Sequence, residues 1–129
     1  MTAIVGLILF LLSFFHGAVV YHPAEGPIEG VDVYGRERQA LAAMDCIDGI
    51  PHVWLTRGVT LEMFAHELVH AYDCVDDGVM NGSPWPDRPA TWGIGQRIVS
   101  LYCWDSDVEW AACASVANPR DAVARWRDR

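Results

Sequence analysis

Lysine is absent from this chain of 129 residues, so its formal positive side chains are nine arginines, set against seventeen Asp and Glu for a net charge of −8. That balance argues against a nucleic-acid partner, because affinity for a phosphate backbone begins with neutralising its charge. Closely spaced cysteine pairs are also lacking. Cys46, Cys74, Cys103 and Cys113 are separated by 28, 29 and 10 residues, which speaks against a structural four-thiolate zinc site. No internal repeat and no low-complexity segment occurs, and the length fits one small domain. No Lys or Arg precedes the apolar stretch that opens the chain, and from Ala3 to Val20 no side chain is formally charged.

That stretch lies between two classes. A membrane-spanning helix needs about 20 apolar residues, whereas a signal peptide needs an apolar core of roughly 7–15. Residues 1–20 are therefore read as a signal peptide or membrane anchor, with a buried N-terminal helix as the other reading. Either of the first two places the remainder outside the cytoplasm, secreted or membrane-anchored through residues 3–20. An even set of four cysteines in a small domain agrees, since two disulfides would reinforce a thin core in an oxidising compartment. Three pairings are open. Residues 21–35 hold two prolines and several glycines and acids and read as linker, which leaves 36–129 as the folded domain.

Within that domain, Arg36 to Met44 is expected to form a short helix, and Asp48-Gly49 followed by Pro51 a turn. His52 to Thr56 alternates as a strand, with Val53 and Leu55 on one side and Trp54 on the other. A central helix is expected from Thr60 to about Asp76, stopping at Gly78. At 100° per residue, Leu61, Phe64, Leu68, Ala71, Tyr72 and Val75 share one broad face, while His66, His70, Asp73 and Asp77 share the opposite one. Asn81 to Ile94 is a loop rich in Pro and Trp, and Gln96 to Tyr102 is apolar enough for a helix or strand. A second helix has its body at Val108 to Val116, and Pro119 ends it or begins a terminal helical stretch. The arginines at 120, 125, 127 and 129 read as a solvated helix end.

The chemistry concentrates in His66-Glu67-Leu68-Val69-His70. Histidines at i and i+4 sit about 6 Å apart on one helix face and can reach a single zinc ion. Glu67, turned by 100° from His66, need not ligate. It is the candidate general base and acid, taking the proton of a metal-activated water that attacks a carbonyl and passing it to the leaving amine. A catalytic zinc site needs a third protein ligand, and Glu109 is the first choice. It lies early in the second helix, with the small Ala112 one turn later suited to close helix packing. Glu109 also fits a capping box as the N3 partner of Ser106. Asp73 is the competing ligand, or else a group that braces a ligating imidazole. Tyr102 is a candidate oxyanion donor, Tyr72 less so because it lies on the core face. Trp85, Trp92, Trp104 and Trp110 line a substrate pocket or compensate for a small core. His52 and His22 have no placed partner.

The segment Phe64-Ala65-His66-Glu67-Leu68-Val69-His70-Ala71-Tyr72-Asp73, followed by Cys74, resembles the active-site helix of zincin metallopeptidases. It is particularly similar to the mitochondrial inner-membrane processing peptidase family ATP-twenty-three, in which an aspartate likewise follows the second histidine. Glu109 with Ala112 resembles the downstream glutamate helix of compact gluzincins. The likeness covers about 50 residues around the two helices. It implies a compact α+β zincin-like domain with an active-site helix, a second glutamate-bearing helix and a small sheet. It further implies zinc as cofactor, His66, His70 and Glu109 as ligands, Glu67 as general base, a peptide or protein substrate, and Val53 to Thr56 as the cleft-edge strand. The acidic charge, the leader and the Trp/Pro loop have no counterpart in that likeness. The expected activity is that of a zinc metallopeptidase. The alternatives are an inactive exported zincin-like domain that binds a protein partner, and a membrane-associated structural protein whose histidines only solvate a helix.

Overall fold

Asp48 and Gly49 set the centre of the sheet. Both take positive φ (53° and 76°), the backbone that a two-residue hairpin connection requires. They join β4 (Ala42–Ile47) to β5 (Ile50–Leu55) in antiparallel register, from Ile47 opposite Ile50 to Ala42 opposite Leu55. The computed structural model describes residues 2–31, 37–78 and 107–128. The expectations for Asn81 to Ile94, for Gln96 to Tyr102 and for Ser106 lie outside those residues.

The described residues form four helices and two small sheets, an α+β arrangement. In chain order they are α1 (Ala3–Phe15), β1 (Val20–Pro23), β2 (Ile28–Val31), β3 (Glu37–Ala40), β4, β5, α2 (Leu61–Asp77), α3 (Asp107–Ala117) and α4 (Pro119–Arg127). β2 and β3 pair with each other. The larger sheet runs β1-β5-β4, with β1 parallel to β5.

Three expectations are corrected here. Arg36 to Met44 is not a helix: from Glu37 onward it supplies β3 and the start of β4. Its Ala, Leu and Met side chains favour a helix locally, but pairing across the Asp48-Gly49 hairpin overrides that preference. The stretch expected as linker contributes β1 and β2, and β1 hydrogen-bonds along β5 from Val20 opposite His52 to Pro23 opposite Leu55. Finally, Val53 to Leu55 belong to the central strand of the sheet, flanked on both sides, and so do not form a cleft edge.

α2 is built as its sequence dictates. The Thr60 hydroxyl accepts the Met63 N–H at its start, and Gly78 closes it in the left-handed conformation, its N–H donating to the Cys74 carbonyl. The disulfide Cys46–Cys74 pins β4 to this helix one turn beyond His70. A cystine fits an oxidising compartment.

The residues expected as leader make α1, capped by Thr2 and packed against α2 and α4. Leu7, Ile8, Leu11 and Phe15 join Ala65, Leu68, Val69, Ala71 and Tyr72 of α2 and Ala122 and Trp126 of α4 in one apolar core. Rings stitch the three helices together: Phe14 meets Tyr72 at 4.4 Å between centroids, Tyr72 meets Trp126 at 4.9 Å, and Phe10 meets Trp126 at 6.3 Å. No helix among the described residues is long and apolar enough to cross a membrane.

Candidate metal centre

α2 and α3 can approach closely because α3 buries only small side chains, Ala111, Ala112, Ala114 and Ser115. Ser115 disposes of its hydroxyl by donating it to the Ala111 carbonyl at 2.6 Å. That packing brings Glu109 over the polar stripe of α2. His66, His70 and Glu109 converge so that one ligand atom from each lies within 4.8 Å of the others, and the group could hold a metal ion.

The individual distances are tighter still. His70 Nε2 lies 2.9 Å from Glu109 Oε1, His66 Nε2 lies 3.2 Å from Glu109 Oε2, and the two Nε2 atoms are 3.2 Å apart. Ligands held at roughly 2.0–2.1 Å in a tetrahedral zinc site stand about 3.3 Å from one another. The two imidazole nitrogens already stand at nearly that spacing, and each lies within 3.2 Å of one of the two carboxylate oxygens of Glu109. Two imidazoles and one carboxylate are also a donor set used by catalytic zinc, which keeps a fourth position open.

Electrostatics tie the three groups together. Burial alone would push the Glu109 carboxyl up, but hydrogen bonds to His66 and His70 and their charge outweigh it. They hold Glu109 well below the ordinary carboxylate range. Burial pulls the His70 imidazolium down. The hydrogen bond to Glu109 and the charges of Glu109, Glu67 and Asp73 more than offset that, and His70 is raised above its ordinary 6.5. Glu67, half-buried beside the first histidine, is raised above its ordinary 4.5 by burial, with the Glu109 charge adding to that and the two histidines opposing it.

On the far side of His66, Nδ1 lies 3.9 Å from the Cys113 sulfur, and Cys113 is disulfide-bonded. A disulfide sulfur carries no hydrogen, so in this pair only the imidazole can donate. The contact with the Glu109 carboxylate needs a proton on Nε2, and a metal ion that displaced that proton would leave the remaining one on Nδ1 facing the sulfur and the Nε2 lone pair free for the ion.

Of the residues singled out from sequence, the structure gathers His66, His70 and Glu109, with Glu67 alongside. Asp73 is not in the converging group. It is buried, 3 % exposed, one turn past His70, and its charge acts on that imidazole. Trp110 is half-buried next to Glu109. Tyr102, Trp85, Trp92 and Trp104 lie outside the described residues.

One cluster escaped sequence reasoning. His22 of β1 and His52 of β5 meet through Nε2 and Nδ1 at 2.8 Å, and His22 packs on Trp54 at 4.6 Å between ring centroids. Their ring planes are within 13° and their centroids are 5.1 Å apart. That geometry is an in-line N–H···N hydrogen bond between neighbouring strands. Each residue alone looked isolated, because only the parallel pairing of β1 with β5 brings them together.

Compared with protein-family models, with characterised proteins and with solved structures, the chain finds no match.

Proposed function

We propose that this chain is a zinc-dependent metallopeptidase, with His66, His70 and Glu109 as the metal ligands and Glu67 as the general base and acid. The observation that carries the reading is the convergence of two imidazoles, their Nε2 atoms 3.2 Å apart, with one carboxylate whose oxygens lie 2.9 and 3.2 Å from them, presented by two helices. The resemblance of the α2 segment to zincin active-site helices supports the same assignment.

A zinc ion held there would supply Lewis acidity for a substrate carbonyl and for the attacking water. The remaining work belongs to the chain. Glu67 stands next to His66 but outside the converging group, so its carboxylate is available to receive the water's proton and return it to the leaving nitrogen. The Asp73 charge favours the protonated form of the His70 imidazole, and the Cys113 sulfur borders the Nδ1 side of His66. The peptide substrate and the export of the domain belong to the same proposal. The cystine supports export, since disulfides persist in oxidising compartments.

The test uses the full chain, zinc-loaded and with its disulfides intact, on a broad peptide library read by mass spectrometry. The expected result is about one zinc per chain and cleavage that falls by roughly 10²–10⁴-fold in Glu67→Gln, with zinc retained. Absence of zinc at equimolar supply, or equal cleavage by both forms, contradicts the proposal. Zinc bound tightly by both with no turnover by either would assign the domain to binding a protein partner instead.

A further inference from the structure

The larger sheet carries a second group of metal-ligating side chains on the face turned away from α2. In β5, Pro51 and Val53 are fully buried, and Cys46, opposite Pro51, is bonded to Cys74 of α2, so these residues mark the inner face. Alternation along the strand puts His52 and Trp54 on the outer face, and the register with β1 puts His22, opposite Trp54, there as well. All three side chains are half-buried. Asp45 of β4 stands opposite His52 and is exposed, so its charge favours a cation on this face.

Direction is the first feature that points to an ion. His22 Nε2 and His52 Nδ1 are 2.8 Å apart, with ring centroids 5.1 Å apart and planes within 13°, so the two nitrogens face each other along one line. Once the proton between them has moved to the far nitrogen of its own ring, two opposed lone pairs remain. The indole is the second feature. Centroid separations of 5.1, 4.6 and 6.1 Å among His22, His52 and Trp54 put the midpoint of the imidazole pair about 4.8 Å from the Trp54 centre, inside the roughly 6 Å over which an indole attracts a cation. Interplanar angles of 16° and 28° keep that point on the face of the indole.

Geometry selects the metal. Zinc takes tetrahedral surroundings and the cupric ion tetragonal ones, whereas the closed-shell cuprous ion accepts two opposed donors in a line. At about 1.9 Å per bond the nitrogens would stand about 3.8 Å apart, so the pair opens by about 1 Å, shared between two side chains. We infer that His22 and His52, capped by the Trp54 ring, hold one cuprous ion in linear coordination. This site needs neither zinc nor catalysis at His66, His70 and Glu109, because it lies on the other side of the sheet from α2.

The test titrates the full chain, disulfides intact and zinc in excess, with Cu(I) supplied anaerobically as its acetonitrile complex. Silver(I), which shares the linear preference and needs no reductant, is the second probe. The expected result is one Cu(I) or Ag(I) per chain by native mass spectrometry. X-ray absorption should show two nitrogen neighbours at about 1.9 Å and no sulfur. Of the five histidines, only His22 and His52 should shift their ring nitrogen resonances on silver addition. His22→Gln and His52→Gln, which keep a hydrogen-bonding side chain, should each abolish stoichiometric binding, and Trp54→Leu should weaken it about three- to ten-fold. The inference is overturned if neither ion binds, if the glutamine variants bind as the parent does, or if the bound ion has sulfur or more than two donors. Copper that binds only when zinc is withheld belongs to the His66 group and overturns it as well. The nitrogen resonances are read on the parent chain, so they decide the question even where a glutamine variant fails to fold.

Discussion

Leu11→Ala asks whether α1 is part of the folded core, and the structure sets the size of the answer. Leu11 is 0 % exposed and sits in the cluster that joins α1 to Leu68 and Tyr72 of α2 and to Trp126 of α4. Removing three buried carbons forfeits roughly 2.4 kcal/mol of transfer free energy at about 0.8 kcal/mol per methylene. The incompletely relaxed cavity brings the loss to about 3–4 kcal/mol. For a domain of this size that lowers the melting temperature by roughly 10–15 °C, a large part of a total stability of about 5–15 kcal/mol. Leu9→Ala is the internal control. It lies on the same helix with 51 % exposure, and its effect should stay within about 0.5 kcal/mol. Thermal and urea unfolding followed by circular dichroism under non-reducing conditions measures both. Equal midpoints for Leu11→Ala, Leu9→Ala and the parent would refute the reasoning, because they would mean that α1 contributes nothing to the fold.

Other consequences are as direct. Zinc must displace the proton of His70, whose affinity for that proton is raised above the ordinary imidazole value, so zinc binding should weaken as pH falls. The weakening should set in above pH 6.5 and approach about one decade per pH unit, as read by competition with a chelator. A flat affinity across that range would contradict the ion-pair account. Cys46→Ser with Cys74→Ser removes a crosslink spanning 28 residues and should cost about 3.5 kcal/mol by loop-closure entropy, measured as a lower urea midpoint. Thr60→Ala deletes the hydroxyl that accepts the Met63 N–H at 3.2 Å and should cost about 1 kcal/mol in the same assay.

What could be read from the sequence was what is encoded locally. α2 announced itself through Thr60 at one end, Gly78 at the other and a stripe of period 3.6 between them, and the structure places its ends within a residue of that reading. The Asp48-Gly49 turn was equally legible, yet the strand before it was not. Ala42, Ala43 and Met44 favour a helix in isolation and become strand only by pairing with Leu55, Trp54 and Val53. The parallel strand β1 is a harder case, since its partner lies some thirty residues on and its own residues resemble linker. That one unseen strand also explains why Val53 to Leu55 read as an edge although they occupy the centre of the sheet. An apolar helix with no polar side, such as α1, carries no signal of which face packs, so its place on α2 and α4 had to come from the tertiary structure. Glu109 is intermediate: its helix is visible in the sequence, while its approach to His66 and His70 depends on the small face of α3.

The central claim, a metal held by His66, His70 and Glu109 with Glu67 left to move protons, is tested most directly by a crystal structure of the zinc-loaded full chain. The account predicts one zinc ion with both Nε2 atoms and a Glu109 oxygen at roughly 2.0–2.2 Å, and Glu67 beside it but not coordinating. Zinc held by Asp73, with Glu109 more than about 6 Å away and facing solvent, would contradict it.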